Sequence, residues 1–232
     1  MKKIAIIPAR GGSQRIPGKN IKKFLGKPII SYSIGIALES SLFDEVMVST
    51  DDEEIGRIAM ECGAKVPFYR SSRNADHFAT TSAVIEEVLG KYKEAGTKFD
   101  LFACIYPTAP LISMASLKAA YQLLTDKNYD SVYPVCRFGY PIQRSLKLEN
   151  GKLSMMWPEN LNMRSQDLAP AYHDAGQFYL MKVPEFLKKK AIFTDNSGAI
   201  VLSETEVQDI DNETDWEIAE LKYQLLRKKA GF

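Results

Sequence analysis

The sequence has few of the residues that build metal centres and covalent catalytic sites. Among 232 residues there are only three cysteines and two histidines. Cys62, Cys104 and Cys136 are widely spaced, odd in number and without a spacing typical of a metal site. These features argue against a disulfide framework and against zinc. Cys104 lies in an apolar run, which predicts a core residue.

Long hydrophobic runs are also missing. The first apolar run, Ile4 to Pro8, is too short for a signal peptide or a membrane span. Charged residues make up 25% of the chain and hydrophobic residues 45%, as is ordinary for a soluble protein. The sequence therefore predicts one α/β domain over residues 1–232 that works in the cytoplasm without a membrane partner.

Acidic residues are missing from the first 38 positions, which carry eight Lys and Arg. The formal net charge of +1 therefore divides into +8 here and −7 in the rest of the chain. A solvated basic surface or a nucleic-acid patch would also give this imbalance. However, no aromatic residue precedes Phe24 to stack on a base, so we expect no nucleic-acid partner.

The positive charge is concentrated in the stretch IIPARGGSQRIPGKN, from Ile6 to Asn20. A glycine-rich loop after a buried strand lets backbone N–H groups approach an anion closely, because glycine has no side chain. Arg10, Arg15 and Lys19 add cationic side chains to the same loop. The coincidence of a strand end, glycines and charge predicts a phosphate site.

The loop fits neither of two familiar phosphate-binding patterns. Five residues separate Gly12 from Gly18, and Asn20 follows Lys19 where the P-loop requires Ser or Thr. The dinucleotide fingerprint fails because Gly11 and Gly12 are adjacent. The sequence therefore predicts a phosphate loop of another type.

Apolar strand-like runs alternate with amphipathic helices along most of the chain. The predicted strands are 4–8, 45–50, 66–69, 100–106, 131–135, 177–181, 199–202 and 206–210, and the predicted helices are 28–40, 52–62, 81–92, 113–125 and 213–229. Near-continuous apolar strands between helices predict a mostly parallel sheet covered on both faces. The pattern changes after Cys136, where short strand-like pieces at 146–148 and 153–156 predict a β-arm or a dimer contact at about 137–170.

Polar motifs follow three of the predicted strands, at residues 9–20, 50–52 and 107–110. Ligands bind at the carboxyl ends of the strands in an open parallel sheet. We therefore expect these motifs to meet at one site.

Two carboxylates could hold a cation beside a bound triphosphate. Asp209 and Asp211 lie two residues apart on a predicted strand, so their side chains would share a face. Mg²⁺ prefers such ligands and keeps several waters. A strand end with a helix cap would explain the same residues. Asp51 and Asp52 are rival ligands, although helix capping alone accounts for them.

Four stretches match one family in order and span nearly the whole chain: IPARGGS at 7–13 with Pro17, Lys19 and Asn20; VSTDDEEIGRIAMECGAKVPFYR at 48–70; YPTAPL at 106–111; and QDIDNETDWEIAE at 208–220. They resemble the cytidylyltransferases that activate nine-carbon acidic sugars, the CMP-sialic acid synthetases. The resemblance implies a Rossmann-like nucleotidyltransferase fold, a three-layer sandwich with a small β-arm for dimerisation. It also implies a homodimer and a reaction that converts CTP and a 2-keto-3-deoxy sugar acid into a CMP-sugar and pyrophosphate.

Two segments depart from the pattern of the neuraminate enzymes. Tyr106, in CIYPTAP, stands where those enzymes carry Gln, and YHDAGQFY at 172–179 replaces a loop of the Arg-Pro-Asn-Gly type. Both resemble the members of the family that take pseudaminic acid. Neuraminic, legionaminic and 3-deoxy-octulosonic acids are the alternative substrates. A nucleotide-sensing or carbohydrate-binding regulator on the same fold is an alternative of a different class, against which the intact Lys19, Asp209 and Asp211 argue.

The resemblance also implies roles for individual residues. The predicted nucleotide-binding residues are Ala9, Arg10, Gly11, Gly12, Ser13, Arg15, Lys19, Asn20, Arg70, Thr80 and Thr81. The predicted sugar-binding residues are Tyr106, Pro107, Thr108, Arg144, Arg164, Gln166, His173, Asp174 and Tyr179. Asp209 and Asp211 would hold Mg²⁺, and Lys19, Arg10 and Asp211 form the predicted catalytic set. Arg144 or Arg164 could pair with the sugar carboxylate, whereas core packing explains Tyr106 and Tyr179 equally well.

Overall fold

Strands and helices alternate through most of the chain in the computed structural model, which describes residues 1–13, 15–75, 79–229 and 231. In chain order they are β1 Lys3–Pro8, β2 Lys23–Phe24, β3 Lys27–Pro28, α1 Ile30–Glu39, β4 Glu45–Ser49, α2 Glu53–Glu61, α3 Ser72–Ala75, α4 Thr81–Glu94, β5 Leu101–Ile105, α5 Met114–Asp126, β6 Ser131–Arg137, β7 Leu146–Glu149, β8 Lys152–Met155, β9 Tyr172–Asp174, β10 Phe178–Lys182, α6 Val183–Lys189, β11 Ser197–Leu202 and α7 Glu213–Lys229. None of the described helices is long and apolar enough to cross a membrane.

One sheet organises these elements. Its strand order is β11-β6-β10-β5-β1-β4, and β9 pairs with β6 outside this path. β1 runs parallel to β4 and β5, and β11 runs parallel to β6. β10 is antiparallel to both of its neighbours, and β9 is antiparallel to β6. The predicted mostly parallel sheet is confirmed.

Helices cover both faces of the sheet. Successive side chains of a strand point to opposite faces, so a strand that is apolar at every position is buried on both sides. In β1, Ala5 and Ile7 pack with residues of α1, α2 and α5. Ile4 and Ile6 pack on the other face with residues of α4 and α6. The predicted three-layer sandwich is therefore also confirmed.

A third cluster joins the loop after β1 to the segment before α7. Ile16, Phe24 and Ile29 from the first part of the chain pack against Ile210 and Trp216 from its end. The ring of Phe24 meets that of Trp216 at 5.6 Å in an edge-on contact. This packing brings the basic loop beside the segment that carries Asp209 and Asp211.

Two predicted strands are wrong. Residues 66–69 form no strand; only Lys65, just before them, bridges to Met47. Glu206 ends a short 3-10 helix, Glu204–Glu206, and residues 207–210 have no regular structure. Side chains, rather than a neighbouring strand, bind backbone carbonyls of this stretch. The amine of Lys222 donates to the Val207 carbonyl at 2.7 Å, and Lys19 donates to that of Ile210 at 2.6 Å. The predicted strand spacing therefore does not orient Asp209 and Asp211.

The region between β6 and β9 leaves the main sheet. It contains an antiparallel hairpin, β7 with β8, in which Leu148 lies opposite Leu153. Many of its apolar side chains face solvent: Tyr140 is 89% exposed, Leu148 68% and Leu153 65%. The predicted strand-like pieces in this region are real strands, and they form an arm with little core of its own.

Candidate active site at the carboxyl ends of the strands

A cleft of about 690 Å³ opens where β1 and β5 end. It is lined by Pro8, Arg10, Ser13, Arg15, Lys19, Asn20, Arg70, Ala79, Thr81, Val84, Tyr106, Pro107, Thr108 and Asp209. All of these except Pro8, Ala79 and Val84 are residues that the sequence predicts for the site. The fold thus brings together the motifs that follow β1 and β5 with Arg70 and Asp209, as expected for strand ends that share one edge.

The lining of the cleft is strongly cationic. Arg10, Arg15, Lys19 and Arg70 contribute four positive charges, against one carboxylate from Asp209. A concave surface with one dominant sign of charge attracts ligands of the opposite sign. Guanidinium groups also match phosphate and carboxylate oxygens with paired hydrogen bonds. The cleft therefore suits a polyanion such as a nucleoside triphosphate.

The glycine-rich loop is ordered by contacts on its inner side. The N–H of Gly11 donates to Asp51 at 3.1 Å, and a Cβ at this position would lie 2.7 Å from a carboxylate oxygen of Asp52. Only glycine fits so close an approach without moving Asp52. The amide of Asn20, which is buried, donates to the carbonyl of Arg10 at 2.9 Å. These contacts fix the loop between Arg10 and Asn20 at both ends.

Asp51 and Asp52 act as structural groups on the described contacts. Asp52 caps α2 by accepting a hydrogen bond from the N–H of Ile55 at 3.0 Å. Asp51 accepts from Gly11, and neither carboxylate lines the cleft. The capping interpretation therefore accounts for Asp52, and Asp51 holds the glycine-rich loop through Gly11.

Lys19 lies between the basic loop and the acidic segment. Its amine donates to the Ile210 carbonyl at 2.6 Å. Burial lowers the pKa of Lys19, and the carboxylates of Asp211 and Asp209 act in the opposite direction. Lys19 is therefore held at the point where the positive loop meets the two carboxylates.

The two carboxylates experience opposing charges. Arg15 pairs with Asp211 at 2.7 Å. Desolvation by the cleft wall and the adjacent charge of Asp211 raise the pKa of Asp209, while Lys19 lowers it. Asp211 itself is fixed from behind, because its N–H donates to the Asp215 carboxylate at 2.9 Å. Asp215 was not expected from the sequence, although its place three residues after Asn212 is typical of a reciprocal helix cap.

The carboxylates of Asp209 and Asp211 fit Mg²⁺ better than a metal that is coordinated by protein side chains alone. Among the described residues no group of three or more His, Cys, Asp or Glu side chains is arranged to hold a metal. Asp209 lines the cleft, and Asp211 lies outside the lining but close enough for its charge to raise the pKa of Asp209. Mg²⁺ typically uses one or two carboxylates and completes its shell with water and substrate phosphates.

Arg70 lines the cleft from a short segment that is hydrogen-bonded to the end of β4. One of its terminal nitrogens donates to the Ser49 carbonyl at 2.7 Å, and its Nε donates to the Ser49 hydroxyl at 3.3 Å. Its backbone N–H donates to Thr50 at 2.8 Å. Burial lowers the pKa of Arg70, and nearby Asp51 and Glu87 oppose that shift. The guanidinium is thus held in place before any ligand binds.

Tyrosines form the wall predicted to face the sugar. Tyr106 lines the cleft, and its hydroxyl lies 3.5 Å from that of Thr81. The ring of Tyr179 packs edge-on against Tyr106 at 5.5 Å, but Tyr179 is only 1% exposed. Its hydroxyl donates to Asp174. Tyr179 is therefore a core residue behind the wall, and Asp174 is bonded to it outside the cleft lining.

Four predicted nucleotide-binding residues lie outside the cleft lining: Ala9, Gly11, Gly12 and Thr80. Ala9 is fully buried and its N–H donates to Ser49 at 2.9 Å. Thr80 caps α4 by accepting from the N–H of Ala83 at 3.2 Å. Gly12 is exposed on the loop, where only its backbone can reach a ligand.

The predicted sugar-binding residues Arg144, Arg164, Gln166 and His173 are also not among the residues that line the cleft. Arg164 pairs with Asp167 at 2.7 Å, Arg144 donates to Ser165 at 3.3 Å, and Gln166 is exposed beside them. His173 stacks edge-on against Phe138, with ring centroids 4.9 Å apart. These residues belong to the arm or to β9 rather than to the loops that follow β1 and β5.

Comparisons with known proteins agree with this architecture. Residues 4–224 match the family model described as cytidylyltransferase. Over 231 residues the chain is 43% identical to a pseudaminic acid cytidylyltransferase from Campylobacter jejuni subsp. jejuni serotype O:2, covering 99% of this chain and all of the relative. It is 29% identical to a CMP-N,N'-diacetyllegionaminic acid synthase from Legionella pneumophila subsp. pneumophila, covering 97% of each chain.

A solved structure supports the fold independently. A CMP:2-keto-3-deoxy-manno-octonic acid synthetase complexed with CTP superimposes with a TM-score of 0.70 at 18% identity, covering 99% of this chain and all of the other. With the family match over nearly the whole chain and a full-length relative at 43% identity, the chain belongs to the cytidylyltransferase family.

Proposed function

We propose that the chain transfers CMP from CTP to pseudaminic acid and releases pyrophosphate. The observation that carries this proposal is the end-to-end similarity to a pseudaminic acid cytidylyltransferase, together with a cleft lined by four cations. The departures at Tyr106 and at residues 172–179 from the neuraminate pattern support the choice of sugar. The cytoplasm stays the predicted setting, without a nucleic-acid or membrane partner.

In the proposed step, the anomeric hydroxyl oxygen of the sugar bonds to the α-phosphorus of CTP. The bond from that phosphorus to the oxygen that bridges to the β-phosphate breaks in line, and pyrophosphate leaves with that oxygen. The hydroxyl proton passes to solvent. Catalysis of this kind rests on positioning and on compensation of developing charge. The backbone N–H of Gly12 and the side chains of Arg10, Arg15 and Lys19 are the groups proposed for that work, because the N–H of Gly11 is bound to Asp51.

Asp209 and Asp211 are the residues proposed to hold Mg²⁺. When bound, the cation would neutralise phosphate charge and make the α-phosphorus more electrophilic. Lys19 holds the backbone between the two carboxylates through the Ile210 carbonyl. Arg15 pairs with Asp211, and its side chain is 69% exposed, so that it can exchange this partner for a phosphate.

On the sugar side, Tyr106, Pro107 and Thr108 are the proposed contacts because they line the same cleft as Arg10, Arg15 and Lys19. The Tyr106 hydroxyl can exchange its weak contact with Thr81 for a sugar substituent. Burial raises the pKa of Tyr106, so the hydroxyl keeps its proton at neutral pH and can donate.

We also propose a homodimer formed through residues 137–170. Exposed leucines and aromatic residues on the arm support it, because monomeric proteins rarely leave such patches uncovered. Leu148→Glu combined with Leu153→Glu would place two charges on the hairpin and should give a monomer in light scattering after size exclusion. Met60→Glu, on exposed α2, is the matched control. A double variant that elutes as the wild type would remove the arm from the interface.

The test of the function is pyrophosphate release from CTP with pseudaminic, N-acetylneuraminic, legionaminic and 3-deoxy-octulosonic acids. We expect the highest kcat/KM with pseudaminic acid. A higher kcat/KM with another acid would support the proposed reaction but identify that acid, rather than pseudaminic acid, as the preferred substrate. Binding of CTP without pyrophosphate release with any of these acids would instead favour the regulator that the sequence left as an alternative.

A further inference from the structure

Arg70 belongs to a short segment, Tyr69 to Asn74, that has little regular structure to hold it. The N–H of Arg70 donates to the carbonyl of Thr50, which ties the segment to the residue after β4. The only regular element in the segment is part of the four-residue α3. The position of the Arg70 side chain in the cleft therefore depends on the contacts that other elements make with this segment. Arg70 itself is bonded to Ser49 and Thr50, and among the described residues the remaining hydrogen bonds to the segment come from α4.

Glu87 on α4 binds the segment just after Arg70. Its carboxylate accepts from the Ser71 N–H at 2.8 Å, from the Ser71 hydroxyl at 2.8 Å and from the side-chain amide of Asn74. The Asn74 carbonyl in turn accepts a long hydrogen bond, 3.5 Å, from the Arg70 guanidinium. Glu87 is thus linked to both ends of the turn from Ser71 to Asn74, which directly follows Arg70.

Lys91, one helical turn later, binds the segment just before Arg70. Its amine donates to the Tyr69 carbonyl at 2.8 Å and pairs with Glu87 at 2.8 Å. It also lies 4.8 Å from the centre of the Phe68 ring. Residues four apart on a helix share a face, so Glu87 and Lys91 act as one clamp around Arg70.

The chemistry of Glu87 fits a permanent clamp. The side chain is only 12% exposed. Its burial favours the protonated form, but hydrogen bonds from Lys91, Asn74 and Ser71 outweigh that effect and lower the pKa of Glu87 to about 2. An ionised carboxylate only accepts hydrogen bonds, so one group can bind all of these donors at once.

We propose that Glu87 is a positioning residue for the nucleotide, which acts by holding the Arg70 guanidinium in the cleft. Glu87 does not line the cleft and touches no reacting atom. The inference rests on the proposed function in one respect, namely that the ligand beside Arg70 is CTP. It predicts that damage to the clamp weakens CTP binding while the chemical step is largely preserved.

The first experiment compares Glu87→Gln with Glu86→Gln by calorimetric CTP binding and steady-state kinetics. Gln keeps the shape of Glu87 but presents an N–H₂ group where a donor from Ser71 or Asn74 now binds. We expect the Kd and KM for CTP to rise about tenfold, the scale of a lost charge-assisted hydrogen bond, with kcat and the sugar KM within about twofold. Glu86, the preceding residue, pairs with exposed Lys190 away from the segment, so Glu86→Gln should behave as the wild type.

The second experiment is a double-mutant cycle with Arg70→Ala. If Glu87 acts through Arg70, Glu87→Gln should change CTP affinity by less than about twofold in the Arg70→Ala background. An undiminished effect in that background would overturn the proposal, as would unchanged CTP affinity in a folded Glu87→Gln protein. Should Glu87→Gln fail to fold, Lys91→Met tests the other half of the clamp and should also weaken CTP binding without a loss of kcat. Failure of the proposed function would look different, because the wild type itself would then not bind CTP.

Discussion

Substitution of Asp211 by Asn distinguishes two roles of this residue: a magnesium ligand, and a structural residue just before α7. Asn keeps the shape and the backbone N–H that donates to Asp215. It removes one negative charge from a pair, Asp209 and Asp211, that the structure holds beside Lys19. A purely structural role would therefore survive the change, whereas a role in holding a cation would not.

The structure sets the expected size of each effect. The ion pair that is lost, Arg15 with Asp211, has side chains that are 69% and 38% exposed, so its contribution to stability is at most about 1 kcal/mol. For a chain of this length that corresponds to a fall in Tm of about 2–4 °C or less. Loss of a charge-compensating cation at the reacting phosphate should cost about 3–4 kcal/mol in the transition state, or a hundredfold or more in kcat.

The assay is coupled pyrophosphate release over a range of magnesium concentrations, with Tm measured on the same samples. Glu213→Gln is the control, because it removes a similar exposed ion pair, with Lys22, close in sequence to Asp211. We expect near wild-type rates for the control and a low, magnesium-dependent rate for Asp211→Asn. A folded Asp211→Asn protein with a wild-type rate at low magnesium would refute the metal assignment and return Asp51 and Asp52 to consideration.

Three further predictions follow from the same structure. The folded pKa of Glu87, about 2, lies below its ordinary 4.5, so its contribution to stability is complete above pH 4.5 and is lost as the pH falls toward 2. That contribution is on the order of 3 kcal/mol, and urea titrations should show a shallower loss of stability between pH 5 and 3 in Glu87→Gln; equal slopes would contradict it. Gly11→Ala should cost about 1 kcal/mol of stability, read from chemical denaturation, because its Cβ would displace the Asp52 cap; an unchanged midpoint would contradict this. UTP should support turnover at least tenfold below CTP, since uracil reverses the donor and acceptor at two ring positions; equal kcat/KM values would show that the base is not read.

The alternation of apolar strands and helices was sufficient to predict the layered sheet. Ile4, Ala5, Ile6 and Ile7 form an uninterrupted apolar run, which in a strand can only be buried on both faces. The site followed from the same logic, because polar motifs after parallel strands must meet at one edge. Arg10, Lys19 and Thr108 reach the cleft for that reason.

The structural features that the sequence did not predict depend on contacts between residues that are distant in the chain. Residues 206–210 resemble a strand in their pattern, but Lys19 and Lys222 bind the carbonyls that a neighbouring strand would have used. Glu87 reads as one more charge on an amphipathic helix, and only the fold places it against Ser71.

The arm is a region where the sequence predicted the local structure but not the position of the side chains relative to the cleft. Its short strands were predictable from local pattern, and they form the β7 and β8 hairpin. The positions of Arg144 and Arg164 relative to the cleft were not, because they depend on how a chain segment without its own core leaves the sheet. Their predicted contact with the sugar stays a prediction.

The most direct test of the account is a competition in which CTP and magnesium are limiting and pseudaminic and N-acetylneuraminic acids are present in equal amounts. The products are identified by mass spectrometry, so the ratio of the two CMP-sugars gives the ratio of kcat/KM values without separate assays. We expect CMP-pseudaminic acid in at least tenfold excess, the scale set by one buried polar group left without its partner when the wrong sugar binds. Equal amounts of the two products, or an excess of CMP-N-acetylneuraminic acid, would contradict the proposed substrate.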